Sequence, residues 1–413
     1  VQIKQAIISS HLGSVREFNE DMVREYRDLA LYALADGTSS GQGRGRQVAE
    51  AALNSLDQYL SALRKHKALV AQERDAPNRL ALASLMNDIF NQASQAVREE
   101  ALRIGDAKCA TTLLLATIIR NYAYIAHVGN SPAYLLRGDE LIRLNEDHSL
   151  AAYRYRRGRI SRQEYEQSPH RHRLYQALGN GMELEVDMAE IRLTENEVLL
   201  LCSDGLTRSL EPQMIAHLIR PDDLSQSMSN LLQEAHRCGV PDNISIILLS
   251  FTATPDDEPL EAITEAMRKV FLFRDLSEPE LLIIAPYLEE AVYDKGSLII
   301  QEGDIGEHFY VVVSGQVRIT KAQCHLHDLG PGSHFGELSL IQGRQRMFTV
   351  RALTQVHLFS LSRERFHKIL HQKPELSARL AIMLLDTIGS QLSDMSERLA
   401  ALERLKVMCE SQI

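Results

Sequence analysis

The stretch "TATPDDEPLEA" (252–262) divides the chain into two rhythms that no single layered core accommodates. It is acidic and proline-bearing, which is linker composition. Upstream, apolar runs of strand length alternate with helical stretches; downstream, short strands are punctuated by glycines. At 413 residues the chain also exceeds one ordinary core, so two or three domains are expected. The boundaries read 1–251 for a first domain, 252–263 for the linker, 264–385 for a second domain and 386–413 for a C-terminal helix.

In the first domain the runs 29–36, 110–119, 123–129, 133–144, 196–204 and 243–251 have the length and apolar content of buried strands. Gly138-Asp139 sits between apolar segments and marks a hairpin within 133–144. Amphipathic helices are expected over about 46–66 and about 78–104. Strands at both ends with helices between them imply an α+β layered domain. A hydrophobic share of 45% and a charged share of 24% are those of a soluble globular protein. The formal charge of −10 argues against a nucleic-acid binder. Cys109, Cys202, Cys238, Cys324 and Cys409 form no CxxC pair, so they read as buried thiols in a reducing compartment. No apolar run reaches the roughly 18 residues of a membrane span, and the first residues lack signal-peptide design. A cytoplasmic protein with no membrane partner is expected.

Acidic residues stand where the expected strands stop. Asp36-Gly37 closes one run, Asp204-Gly205 another, and Asp242-Asn243 precedes a third. Asn19-Glu20-Asp21 ends a segment that also offers Arg16. Carboxylates at strand ends can converge without burying charge in the core, and such hard oxygen ligands suit magnesium or manganese. No His/Cys cluster in the sequence points to zinc. A glycine after an aspartate lets the backbone turn tightly and offer its own carbonyl.

Eight blocks, in order "GSVREFNED", "ALADGTSSGQGRG", "CATTLLLA", "AHVGNSPAYLLR", "LNEDHS", "LYQALG", "LLLCSDGLTRSL" and "PDNISIILLSF", resemble the metal-dependent Ser/Thr protein phosphatases of type 2C. The resemblance implies a four-layer αββα sandwich with a two-metal centre, Mn or Mg, at one end. It implies that Asp36 bridges both ions and that the Gly37 carbonyl touches one. Asp204 and Asp242 would hold the first ion and Glu20 the second, largely through water, with Asp21 supporting the shell. Arg16 would clamp the substrate phosphate, which suits a planar bidentate donor. Such a centre activates a water for in-line attack, so no side-chain nucleophile is needed. Three departures stand out: Thr38 replaces a histidine of many eukaryotic members, and Ser39-Ser40 replaces a common Gly-Gly. In "GNSP", Asn130 replaces an aspartate that helps bind a third metal, and Pro132 replaces an arginine. Third-metal affinity is therefore expected to be weakened.

Residues 153–173 carry seven arginines where the family has a mobile flap. This is either a surface that attracts phosphorylated or acidic protein substrates or a solvated insert. Downstream, "YDKGSLIIQEGDIGEHFYVVVSGQVRI" and "GPGSHFGELSLIQGRQRMFTVRALTQVHLFSLSRERF" resemble a cyclic-nucleotide-binding domain, a β-roll with flanking helices. A helix starting near Gly336-Glu337 would present free N–H groups to an anion. Glu337 would accept from a ribose 2′-hydroxyl and Arg346 would pair with the cyclic phosphate. Gln345 replaces the usual proline, and bulky Met347-Phe348 either narrows the pocket or faces the barrel core. A threonine associated with cGMP does not follow the arginine, which leans toward cAMP. In the tail, Ile388, Leu392, Met395, Leu399 and Leu402 form a short heptad seam, either a homodimer contact or a helix packed on its own barrel.

The expectation is a protein phosphatase regulated by a cyclic nucleotide. The alternative is a nucleotide receptor whose inert phosphatase-like domain binds phosphoproteins. A DNA-binding regulator is poorer, because only about 25 residues follow the barrel and its long helix.

Overall fold

In the computed structural model the chain forms two compact units, Val1–Asp257 and Glu258–Ile413. The structure describes residues 1–72, 76–171, 173–181, 184–240, 242–254, 287–341 and 345–372, with single positions or pairs between 267 and 284 and between 379 and 389. The heptad positions Ile388, Leu392, Met395, Leu399 and Leu402 lie outside the described residues, as do linker positions 255–263.

Two antiparallel sheets make the first unit. One runs β1 (Gln2–His11), β11 (Ile244–Thr252), β10 (Val198–Cys202), β7 (Ala133–Arg137) and β8 (Glu140–Arg143). The other runs β2 (Asp21–Tyr26), β3 (Leu31–Thr38), β5 (Leu113–Ile119), β6 (Tyr122–Val128) and β9 (Asp187–Arg192), with β4 (Ala110–Thr111) also on β3. Strand alternation splits β3 between two cores. Tyr32 and Leu34 point between the sheets, where they join Leu114, Leu135, Leu199 and Ile247. Leu31, Ala33 and Ala35 point outward, under α1 (Gly45–Asn54) and α3 (Ala76–Arg103). Beyond the other sheet, Val198, Leu200, Ile246 and Leu248 pack on α8 (Leu224–Cys238) through Leu224, Met228, Leu231 and Ala235. Burial on both faces explains why these strands read as continuous apolar runs, and the four layers are the expected αββα sandwich.

The hairpin forms at Gly138-Asp139, with Arg137 opposite Glu140. The single helix expected over 46–66 is instead two. After α1 the Ser55 hydroxyl donates to the Ala52 carbonyl at 2.7 Å, and a 3-10 turn at Asp57–Tyr59 precedes α2 (Leu60–Gln72). Arg24, on β2, donates to the Leu53 carbonyl at 3.1 Å and to Asn54 Oδ1 at 2.6 Å, capping α1 from another element. That tertiary cap is invisible to periodicity.

The second unit holds two four-stranded antiparallel sheets: β12 (Glu289–Tyr293), β19 (Val356–Ser362), β14 (His308–Ser314), β17 (His334–Phe335), and β13 (Leu298–Ile300), β18 (Thr349–Ala352), β15 (Val317–Lys321), β16 (Cys324–Leu329). Val312, Val317, Ile319, Phe335, Val350 and Leu358 close a core between them. Among the described residues no helix is long and apolar enough to cross a membrane.

A buried ion pair ties β7 to the turn before β10. Arg137 Nε bonds Glu197, whose other oxygen accepts from the Thr194 amide at 2.8 Å. Both side chains are at most 5% exposed. Removing one partner strands a buried charge, so Glu197→Leu should cost about 3–5 kcal/mol in thermal unfolding. The double variant Arg137→Leu/Glu197→Leu should cost less than the single one.

Candidate active site

The acidic residues converge because four strand ends do. Asp21 begins β2 and lies opposite Asp36 of β3 in the ladder. Asp204 follows β10 and opens α6 (Asp204–Ser209), while Asp242 and Asn243 precede β11. Asn243 laces the loop before β2 to this end. Its Nδ2 donates to the Leu12 and Phe18 carbonyls at 2.8 and 3.0 Å, and its Oδ1 accepts from the Glu20 amide at 2.9 Å. Arg16, on that loop, donates through Nη2 to Asp242 Oδ2 at 2.7 Å.

Asp36 is held by its backbone. Its amide donates to Thr112 Oγ1 at 3.0 Å, and its carbonyl accepts from the Thr112 amide at 2.9 Å and Thr111 Oγ1 at 3.0 Å. Gly37 is not in a left-handed conformation, so the tight turn expected of it is not what demands glycine. Close approach is: a Cβ there would lie 2.2 Å from the Gly45 carbonyl oxygen. Gly205 is under the same constraint, 1.9 Å from the Asn243 oxygen. Glu20 is oriented through Oε1, which accepts from Ser39 Oγ at 2.5 Å and the Gly45 amide at 2.7 Å. Ser40 anchors the same loop on Asp106 through its amide (3.1 Å) and hydroxyl (3.0 Å). The Ser39-Ser40 departure thus supplies hydroxyls that hold a site carboxylate and its loop. Asn130 donates through Nδ2 to Asp204 Oδ2 at 2.8 Å. Sequence reading missed Arg208, whose Nη1 lies 2.8 Å from Asp242 Oδ2 and 3.9 Å from Asp204 Oδ1.

Glu20, Asp21, Asp36, Asp204 and Asp242 therefore share one end of the sandwich with the guanidinium groups of Arg16 and Arg208. Asp21 is 2% exposed, and burial pushes its carboxyl up to about 7; the Ser203 and Ser245 hydroxyls oppose this, and the charges of Asp204 and Asp242 reinforce it. Asp36 is raised well above the ordinary range by burial, then by Asp21, Asp204 and Asp242. Asp21 Oδ2 is buried with no hydrogen-bond partner. An orphaned carboxylate oxygen amid mutually repelling carboxylates is the environment a divalent cation would relieve, and every donor is a hard oxygen. The residues fit a divalent cation. Arg16 is raised first by its bond to Asp242, so it stays charged.

The structure also brings together His127, His148 and Asp187, with one potential ligand atom each within 4.8 Å of the others. No sequence pattern announced this trio. His127 Nε2 donates to the Glu146 carbonyl at 2.7 Å, leaving Nδ1 buried without a hydrogen bond, 3.8 Å from Asp187 Oδ2. His148 Nδ1 faces two donors, the Gly129 amide at 3.3 Å and Gln176 Nε2 at 3.2 Å, so its proton sits on Nε2 and its lone pair is already engaged. The trio offers an ion one free imidazole nitrogen, which makes it a poor metal site. It is a packed joint with the rings stacked at 4.6 Å, and burial drives His148 down to about 3.

In the second unit, Gly336 has φ +83°, and a Cβ there would meet Arg346 Nη1 at 2.6 Å. Arg346 donates from Nη1 to Ser339 Oγ at 2.6 Å and from Nη2 to the His308 carbonyl at 2.7 Å. Glu337 precedes the short helix α9 (Leu338–Ile341). Met347 is 49% exposed, while Phe348 packs against the barrel core with Lys321 over its ring. Of the two readings of this bulky pair, the core-facing one describes Phe348.

Residues 10–248 match the protein phosphatase 2C family, and residues 290–373 match the cyclic nucleotide-binding domain. Protein phosphatase PhpP of Streptococcus pneumoniae is 30% identical over 245 residues, 58% of this chain and 94% of that protein. The cAMP-dependent protein kinase regulatory subunit of Yarrowia lipolytica is 40% identical over 113 residues, 27% of this chain and 30% of that protein. The crystal structure of the Mycobacterium tuberculosis serine/threonine phosphatase PstP/Ppp superposes with a TM-score of 0.51 at 25% identity, covering 61% of this chain and all of that one. The chain belongs to the protein phosphatase 2C family and carries a cyclic-nucleotide-binding domain after its phosphatase domain.

Proposed function

We propose that this protein is a cytoplasmic phosphatase that hydrolyses phosphoserine and phosphothreonine in proteins with two bound divalent cations, Mn or Mg, under control of a cyclic nucleotide. The observation that carries the catalytic reading is the convergence of Asp36, Asp204, Asp242 and Glu20 beside Asp21, whose Oδ2 has no partner. Asp36 would serve both ions and the Gly37 carbonyl one of them, Asp204 and Asp242 would hold the first ion, and Glu20 the second. When bound, such ions supply an activated water and positive charge for the phosphoryl oxygens. Arg16, half-exposed and permanently charged, orients the phosphate for in-line attack. The phosphorus–oxygen bond to the serine or threonine breaks, one to water forms, the freed side-chain oxygen takes the proton that the water gives up, and phosphate leaves. Asn130 already spends its amide on Asp204, which favours two ions over three. The exposed arginines of 153–173 would favour acidic or phosphorylated partners, so KM for such peptides should rise with salt.

Regulation rests on the second unit. Gly336, Glu337 and Arg346 lie around one short helix within the matched cyclic nucleotide-binding region, and the chain is similar to a regulatory subunit of cAMP-dependent protein kinase. The same match and the absence of threonine after Arg346 favour cAMP over cGMP. A coupling of about 1–3 kcal/mol would change activity several-fold or more.

With manganese, Asp36→Asn and Asp204→Asn should lower hydrolysis of p-nitrophenyl phosphate on the order of 10²–10³-fold or more. Wild-type-like rates would leave the phosphoprotein-binding alternative standing. Saturating cAMP should raise the melting temperature of the wild type and alter its phosphatase rate, and Arg346→Ala should lose both responses. No change in either quantity with cAMP or cGMP defeats the regulatory reading.

In chelator, stability should depend on pH. The folded carboxyl of Asp21 titrates at about 7, above its unfolded value of about 3.9. Its contribution is complete below the unfolded value and is lost as pH rises through the folded one, so the melting temperature should fall between about pH 4 and pH 7. Manganese should then stabilise more at pH 8 than at pH 5. A flat or rising profile in chelator contradicts the crowding of carboxylates.

A further inference from the structure

Arg208 lies one helical turn beyond Asp204 on α6, so its side chain runs back over the carboxylate that opens the helix. Its Nη1 reaches Asp242 Oδ2 at 2.8 Å, the same oxygen that accepts Arg16 Nη2 at 2.7 Å. The second oxygen of Asp242 accepts the Asn243 amide at 2.9 Å. One carboxylate thus carries two guanidinium groups and a backbone donor. With two guanidinium donors on it, Oδ2 is fully engaged, and a cation held by that oxygen would compete with them. Both arginine side chains are solvent-accessible, 29% and 49% exposed, so both can leave without passing through the core.

We propose that Arg208 is a second phosphate-recognising arginine of this site, parked on Asp242 until that carboxylate turns to a divalent cation. This inference rests on the phosphatase reading above. Released from Asp242, the two guanidinium forks remain at the mouth of the site, repelled by the cation and facing incoming substrate. A phosphomonoester dianion presents three non-bridging oxygens, enough to accept from both forks at once. The same geometry makes Arg208 a competitor of the first cation, because its head occupies Asp242 Oδ2 and its charge stands 3.9 Å from Asp204 Oδ1.

Competition and recognition predict effects of opposite sign, which a prop for Asp242 would not produce. The experiment compares full-length wild type, Arg208→Gln and Arg208→Lys. Manganese affinity is measured by calorimetry without substrate; inorganic phosphate binding is measured on the manganese-loaded proteins; KM and kcat are measured on a phosphothreonine peptide. Arg208→Gln should bind manganese several-fold more tightly, yet bind phosphate about tenfold more weakly and raise KM by a similar factor. Arg208→Lys keeps the charge but loses the fork. It should return manganese affinity toward the wild-type value while KM stays raised several-fold. Weaker manganese binding in Arg208→Gln, or a fall in kcat at unchanged KM and unchanged phosphate affinity, overturns the proposal. If the wild type cleaves no phosphopeptide, the phosphatase reading fails; the manganese and phosphate titrations still decide the role of Arg208.

Discussion

Asp21 and Asp36 lie directly opposite each other on neighbouring strands, both deep in the site, and that pairing sets the terms for everything around it. Like charges facing across a ladder weaken it, and burial removes the water that would screen them. The register holds because the strands continue into the core, where Leu34 pairs with Leu114 and packs against the opposite sheet. Asp204 and Asp242 arrive from that opposite sheet, so closing the sandwich forces more negative charge onto the same end. The chain answers with two guanidinium groups and the Asn130 amide. One carboxylate oxygen still has no partner. The crowding of carboxylates that a cation would relieve follows from the packing of two sheets, before any chemistry is considered.

Much of this was legible in the sequence, for physical reasons that differ from feature to feature. Strands buried on both faces announce themselves as apolar runs, and Asp-Gly at their ends marks where charge can gather; Asp36, Asp204 and Asp242 were found that way. The Gly138-Asp139 hairpin is local chemistry and needed nothing else. The break after Asn54 was hidden, because the cap comes from Arg24 on another strand. Gly37 was singled out for the wrong reason: its constraint is the carbonyl of Gly45, a non-local neighbour. Ser39 read only as a departure from a common Gly-Gly, because its bond to Glu20 joins segments far apart in the chain. Arg208 carried no signal, since an arginine four residues into a short helix is ordinary until Asp242 folds over it. Pairings between distant segments are what a single sequence does not display.

The two units hold their anion-seeking arginines in different ways, and the difference bears on the order of events. Arg346 is satisfied by a hydroxyl and a backbone carbonyl, both neutral acceptors. A cyclic phosphate offers a charged acceptor instead, and hydrogen bonds to charged groups are the stronger kind, so exchange is favourable without further help. Arg16 and Arg208 are satisfied by a carboxylate, already a charged acceptor. A phosphate arriving at that end would trade one charged partner for another while adding its own negative charge to five carboxylates. In the proposed mechanism the exchange becomes favourable only after cations have claimed Asp242. On that proposal the first unit would be silent toward phosphate until it is loaded with metal, whereas the second would answer its ligand without one.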